Sequence, residues 1–114
     1  MTIISRPKHI YVRSAVLLTR VRTLPCMVTG VYGHTEPAHS NWGWGRGKSI
    51  KADDNRVAAI SWPIHRELDQ GLRWTESERK ALWWKAHVKS VKALLAQDLW
   101  PQKVPIPDIE VYPW

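Results

Sequence analysis

The chain has 114 residues, of which 17 are Lys or Arg, 10 are Asp or Glu and one is Cys. This length predicts one domain, because it provides one modest hydrophobic core and not two. A single cysteine excludes an intrachain disulfide and a cysteine-based zinc finger, and it fits a reducing, cytosolic compartment. No apolar run is long enough for a membrane span or a signal-peptide core, so we expect neither membrane insertion nor secretion.

The net charge of +7 is concentrated in the first half of the chain. Residues 1–51 contain eight Lys or Arg and one acid, whereas residues 52–114 contain nine of each. A one-sided positive field favours a polyanionic partner, and nucleic acid is the commonest one. The alternative is that the charge only maintains solubility.

The first half of the chain predicts a basic arm, a helix and a hairpin. A short amphipathic pattern over residues 11–21 indicates a helix that ends before Pro25, although its β-branched residues leave a strand as the alternative. Residues 26–32 are apolar and β-prone, and we expect them to pair with a second strand over residues 35–40. His39 lies at the end of that second strand.

A long loop and a short strand and helix are predicted next. Residues 41–55 combine glycines, tryptophans, basic residues and paired aspartates, which is typical of a functional loop. Residues 56–61 form a short apolar strand, and a helix of about two turns follows until Gly71.

The second half is dominated by one helix over residues 76–97. Thr75 and Glu78 form a capping box at its start, and apolar residues then recur at three- and four-residue steps. Four prolines keep residues 98–114 out of helical structure, so we predict an extended tail that wraps the domain or meets a protein partner.

The chemistry is predicted to lie between residues 33 and 71. His65 and Asp69 are four residues apart on the short helix, so both side chains can reach one divalent cation. An imidazole with a carboxylate suits zinc, manganese or magnesium without choosing among them. The competing interpretation is an ordinary pair on a helix surface, and the spacing alone favours that interpretation.

His39 strengthens the hypothesis of a catalytic site. Hydrolysis of a phosphodiester needs a deprotonated water and neutralised charge in the transition state, which a histidine and a metal ion supply together. Asn41 is equally well explained as a residue that orients an imidazole or contacts a phosphate and as a turn residue. The loop offers basic side chains for phosphate and indoles for stacking: Trp42, Trp44, Arg46, Lys48 and Lys51.

These residues resemble a known family. The pattern Ala-His39-Ser-Asn, the glycine loop, Lys51-Ala-Asp-Asp54 and His65-Arg-Glu-Leu-Asp69-Gln-Gly resembles the small phage and prophage nucleases of the YbcO type, a branch of the HNH or ββα-metal group. The resemblance covers residues 12–97 and is most specific between residues 38 and 71. It implies an α+β fold in which a ββα-metal unit has an N-terminal helix and a long C-terminal helix.

The resemblance also implies roles for individual residues. His39 resembles the general base, and His65 and Asp69 resemble the metal ligands on the helix. Asp54 is either a further ligand or a brace for the loop. Family members commonly have Cys-x-x-Cys before the helix histidine, but this chain has Ser61 and Ile64 there, so we expect no structural zinc.

Together these features predict an HNH-like domain over residues 1–97, with the site in residues 33–71, and a Pro-rich tail over residues 98–114. The predicted function is a metal-dependent DNA endonuclease in the bacterial cytoplasm. The resemblance implies that a phage or prophage encodes it and that it acts in recombination or DNA processing. The alternatives are a catalytically silent DNA-binding module of the same fold and a phage accessory protein that binds another protein.

Overall fold

The computed structural model describes residues 11–40, 42, 52–70 and 73–114. In chain order the described residues form helix α1 (Ala15–Arg22), strands β1 (Thr35–His39) and β2 (Val57–Ser61), helix α2 (Trp62–Gln70) and helix α3 (Glu76–Ala96). The α+β class is therefore confirmed. No helix in the described ranges is both long and apolar enough to cross a membrane.

The two strands form one antiparallel hairpin, and α2 follows β2 without a linker. The register places Thr35 opposite Ser61 and His39 opposite Val57. Backbone hydrogen bonds from Trp62 to His34 and from Ser40 to the Arg56 carbonyl extend the ladder at both ends. Pro37 lies on the edge strand β1, at a position where its missing N–H costs the ladder nothing.

Side chains of α3 cover the outer edge of β2, whose five residues are all buried. The Ala59 N–H donates to Ser90 Oγ (2.8 Å), and His87 Nδ1 donates to the Val57 carbonyl (2.8 Å). Met27 N–H donates to the Ala59 carbonyl (2.9 Å). These contacts satisfy buried backbone groups that an uncovered strand edge would leave unpaired.

The sheet is packed on both faces. On one face, Ala58 and Ile60 contact Leu68 of α2 and Trp83 of α3. On the other face, Val57 and Ala59 belong to a cluster with residues of α1 and α3: Leu17, Val21 and Leu94. Because successive side chains of a strand point to opposite faces, His39 lies on the α1 side and Glu36 on the α2 side.

The prediction of a strand over residues 26–32 is wrong. This segment is a turn, in which Gly30 has φ of +77° and its N–H donates to the Cys26 carbonyl (2.8 Å). Glycine adopts this left-handed conformation without a steric penalty, so the apolar segment closes on itself and does not extend. The predicted pairing with residues 35–40 is consequently wrong as well, since β1 pairs with β2.

Four other predicted elements are confirmed: the N-terminal helix, the strand that begins at Thr35, the strand that ends at Ser61 and the long helix. Ser14 caps α1, and the capping box of Thr75 and Glu78 at the start of α3 is complete. The short helix is also present as α2. Its predicted stop, Gly71, lies outside the described residues, as does most of the predicted loop between β1 and β2.

The C-terminal segment after α3 lies along the domain without helix or strand. Arg20 donates to the Leu99 carbonyl (2.7 Å), and Asn55 donates to the Pro105 carbonyl (3.0 Å). At its end, Trp114 packs edge to face against Trp42 and Trp83, with ring centroids 5.7 and 5.9 Å apart. The segment therefore contacts α1, α3 and both sides of the loop that joins β1 to β2.

His87 links this packing to a pH dependence of stability. The side chain is fully buried and stacks on Trp83 at 4.8 Å, and burial lowers the His87 pKa from 6.5 to about 4. Between these values the unfolded chain binds a proton that the folded chain excludes. The stabilisation is complete above pH 6.5 and is lost as the pH falls towards 4.

We predict that the unfolding free energy of both proteins falls between pH 7 and pH 4.5, and that the fall is about 2 to 3 kcal/mol larger in wild type than in His87→Gln. Glutamine does not titrate, so the difference isolates His87. The measurement is urea unfolding at both pH values, with His34→Gln as the control because His34 is exposed. Equal losses in wild type and His87→Gln would contradict this account.

Candidate functional site

His39 is the last residue of β1, and it is held by an aspartate from the loop. Its Nε2 lies 2.9 Å from Asp54 Oδ1. The side chains of His39 and Asp54 are 15% and 5% exposed, so the pair lies just below the surface. The hairpin positions His39, and the turn before β2 positions Asp54.

The two adjacent aspartates also hold the start of the N-terminal helix. Asp54 Oδ2 accepts from the Ser14 N–H (2.8 Å), and Asp53 Oδ1 accepts from the Val12 N–H (3.0 Å). The Asp54 N–H donates in turn to the Val12 carbonyl (2.8 Å). These contacts fit the bracing alternative for Asp54, and its role as a metal ligand stays a prediction.

The aspartate determines which nitrogen of His39 is basic. A carboxylate accepts hydrogen bonds, so Nε2 of the neutral ring carries the proton that it shares with Asp54. Nδ1 is then the nitrogen with the basic lone pair. An imidazole held in one tautomer by a buried carboxylate is the arrangement by which histidine bases are oriented in hydrolases.

A second group of polar side chains joins β1 to α2. His65 Nδ1 lies 2.9 Å from Glu36 Oε2, and His65 Nε2 lies 3.5 Å from Asp69 Oδ2. The predicted pairing of His65 and Asp69 on one helix face is therefore present. Glu36 reaches the other ring nitrogen because the register places it opposite Ile60, two residues before α2 begins.

This second group borders an open cavity of about 290 Å³. The cavity is lined by Glu36, Trp62, His65, Arg66, Asp69 and Gln70. The Arg66 guanidinium lies 5.1 Å from the centre of the Trp62 ring, so the lining of the cavity also includes a positive charge. The cavity thus combines acidic and basic groups in an accessible place.

His39 and Asp54 do not join His65 and Asp69 in a single ligand cluster. Among the described residues, no group of three or more His, Cys, Asp or Glu side chains is arranged to hold a metal ion. The His39 group lies on the α1 side of the sheet and the His65 group on the α2 side. The two groups therefore lie on opposite faces of the sheet.

The candidate catalytic residue Asn41 lies outside the described ranges, as do four of the predicted DNA-contacting residues: Trp44, Arg46, Lys48 and Lys51. Trp42 is described, and it is half-buried at the start of the loop. It packs against Trp114, and the Arg79 guanidinium lies 5.9 Å from the centre of its ring. Trp42 therefore contributes to the hydrophobic core, and its stacking on DNA stays a prediction.

Ser61, which stands where the nucleases that the chain resembles commonly have a cysteine, lies beside the thiol of Cys26. Burial raises the pKa of the Cys26 thiol, but hydrogen bonds from Ser61 and Thr29 outweigh burial and lower it from 9.0 to about 7. One thiol with two hydroxyls does not match the sulfur and imidazole ligands of structural zinc sites. The backbone hydrogen bond from Met27 N–H to the Ala59 carbonyl (2.9 Å) connects the turn of residues 26–30 to β2.

Sequence reasoning missed Glu36 and Arg66. Glu36 lies three residues before His39, and its approach to His65 follows only from the pairing of β1 with β2. A search for acids opposite the strand that precedes the His65 helix would have found Glu36. Arg66 follows His65 directly, and its place at the rim depends on the direction in which α2 runs.

The chain matches no protein-family model, no curated protein and no solved structure. The family resemblance therefore depends on the motif residues quoted above.

The structure predicts that Asp54 is important for folding as well as for His39. We expect Asp54→Ala to lower the unfolding free energy by about 2 to 4 kcal/mol, because it leaves buried N–H donors without a charged acceptor. Asp69→Ala is the matched control, since the Asp69 side chain is 48% exposed and should cost under about 0.5 kcal/mol. Urea unfolding at pH 7 measures both, and equal effects would show that Asp54 is not a brace.

Proposed function

We propose that this protein is a metal-dependent DNA endonuclease of the ββα-metal type. His39 is the general base, and His65 with Asp69 binds the divalent cation. The order of the described elements supports the proposal, because β1 ends on His39 and β2 leads directly into the helix with His65 and Asp69. The resemblance to prophage nucleases further suggests a role in DNA recombination or processing.

The observation that carries the proposal is the hydrogen bond between His39 and Asp54. His39 Nδ1 accepts a proton from the attacking water, and the water oxygen forms the new bond to phosphorus. The bond from phosphorus to the leaving oxygen of the DNA strand then breaks. Asp54 stabilises the imidazolium that forms, because its carboxylate lies 2.9 Å from His39 Nε2.

The residues on α2 fit a divalent cation. His65 Nε2 and Asp69 Oδ2 are 3.5 Å apart, and ligands about 2.1 Å from one cation are separated by about 3.0 to 3.5 Å. When bound, the cation supplies positive charge that stabilises the transition state and the leaving oxygen. Magnesium, manganese and zinc all accept an imidazole with a carboxylate.

The arrangement of the two groups suggests how DNA is bound. In this proposal, a backbone phosphate lies across the edge of β1, between the His39 group on one face of the sheet and the His65 group on the other. Arg66 at the cavity rim and the basic loop residues Arg46, Lys48 and Lys51 supply the phosphate contacts in this proposal. The net charge of +7 favours the association.

A plasmid-nicking assay tests the activity. With Mg²⁺, Mn²⁺ or Zn²⁺ present, we expect wild type to nick DNA and His39→Ala to be slower by about 100-fold or more, because the general base is lost. His34→Ala is the matched control, since it removes an exposed histidine one residue before the same strand. It should retain the wild-type rate.

Other outcomes favour the other functions. DNA binding without nicking under any of these metals would favour a silent binding module. Absence of both binding and nicking would favour a protein that acts through a protein partner.

The basic loop should determine the salt dependence of DNA binding. We expect replacement of Arg46, Lys48 and Lys51 by Ala to lower the slope of log K against log salt by about 2 to 3, because each phosphate contact contributes about 0.9. The control replaces Lys85, Lys89 and Lys92, which are exposed on α3 and carry the same total charge. An equal fall in slope in the control would show that the loop has no special role.

A further inference from the structure

The His65 ring has a carboxylate at each of its two nitrogens. Glu36 Oε2 lies 2.9 Å from Nδ1, which is a short and favourable hydrogen-bond distance. Asp69 Oδ2 lies 3.5 Å from Nε2, which is too long for a strong hydrogen bond. The two carboxylates are therefore not equivalent partners of the ring.

One cation cannot be bound by all three side chains in this arrangement. The two nitrogens lie on different edges of the imidazole, so Glu36 and Asp69 stand on opposite sides of it. This agrees with the absence of a three-residue metal group among the described residues. A cation beside Nε2 and Asp69 leaves Glu36 in contact with the far nitrogen.

We infer that Glu36 is a positioning residue that prepares His65 for a divalent cation. Glu36 accepts a hydrogen bond from the Nδ1–H of His65. This bond keeps the proton on Nδ1 and the lone pair on Nε2, beside Asp69. Metal-binding histidines commonly donate their second N–H to a carboxylate, which orients the ring and makes the ligating nitrogen more basic. This inference rests on the proposed metal site and adds a residue that the sequence analysis did not assign.

The fold explains why Glu36 can perform this role. It lies on β1, which the register ties to β2, and β2 continues directly into α2. The hairpin therefore holds Glu36 at a fixed distance from the first turns of α2. Its side chain is 51% exposed and that of His65 is 25% exposed, so a hydrated cation has access to the site.

Calorimetric titration with Mn²⁺ alone, without DNA, tests the inference. We expect Glu36→Ala to weaken Mn²⁺ binding by about 10- to 100-fold. Glu36→Gln keeps an oxygen that accepts a hydrogen bond from Nδ1–H, so the affinity of this variant for Mn²⁺ should remain closer to that of wild type. Glu67 is an acid on α2 that the inference does not involve. Glu67→Ala is therefore the control and should bind Mn²⁺ as wild type does.

Nitrogen NMR of the His65 ring in the metal-free protein provides the second measurement. We expect the proton on Nδ1 in wild type and in Glu36→Gln, and a shift of the proton towards Nε2 in Glu36→Ala. A merely structural role of Glu36 would leave the tautomer unchanged. Neither measurement requires nicking, so both separate this inference from the proposed endonuclease activity.

Three results would overturn the inference. Wild type could fail to bind Mn²⁺, with the His65 ring protonated at both nitrogens as in a surface ion pair with two acids. Glu36→Ala could leave both the affinity and the tautomer unchanged. Glu36→Gln could lose binding as completely as Asp69→Ala does, which would make Glu36 a direct ligand.

Discussion

The Asp54 carboxylate connects three parts of this protein. One oxygen contacts the ring of His39 at the end of β1, and the other accepts the backbone N–H of Ser14 at the start of α1. Asp54 itself lies in the turn that leads into β2. Because one buried carboxylate serves all three, the position of the proposed base depends on the packing of the N-terminal helix.

The hairpin register positions the second group of polar side chains, which consists of Glu36, His65 and Asp69. It places Glu36 opposite Ile60 and brings it to His65 as soon as β2 becomes α2. The buried edge of β2 is fixed by His87 and Ser90 of α3, so the long helix supports the site without contributing a ligand. The backbone hydrogen bond from Met27 to the Ala59 carbonyl joins the neighbouring turn to β2.

The sequence predicted the features that depend on local patterns. The helical spacing of His65 and Asp69, the capping box at Thr75 and the short strand before α2 all follow from neighbouring residues. The prediction of a strand over residues 26–32 was wrong because composition does not reveal that Gly30 adopts a left-handed conformation and closes a turn. That error also hid the pairing of β1 with β2, and with it the approach of Glu36 to His65.

The bracing by Asp53 and Asp54 illustrates the other limit of sequence reasoning. Their hydrogen bonds to Val12 and Ser14 join residues about forty positions apart, and no local pattern predicts such a contact. The sequence identified Asp54 as important but left its role open. The structure favours a brace that also orients His39.

The central claim is that His39 and the pair of His65 and Asp69 act on one phosphodiester. A crystal structure of His39→Ala with Mn²⁺ and a short DNA duplex tests it most directly, because the inactive variant keeps the DNA intact. The account predicts Mn²⁺ beside His65 Nε2 and Asp69, with a phosphate bound within about one water molecule of the position of the missing imidazole. Mn²⁺ at another place, or a phosphate far from residue 39, would contradict it.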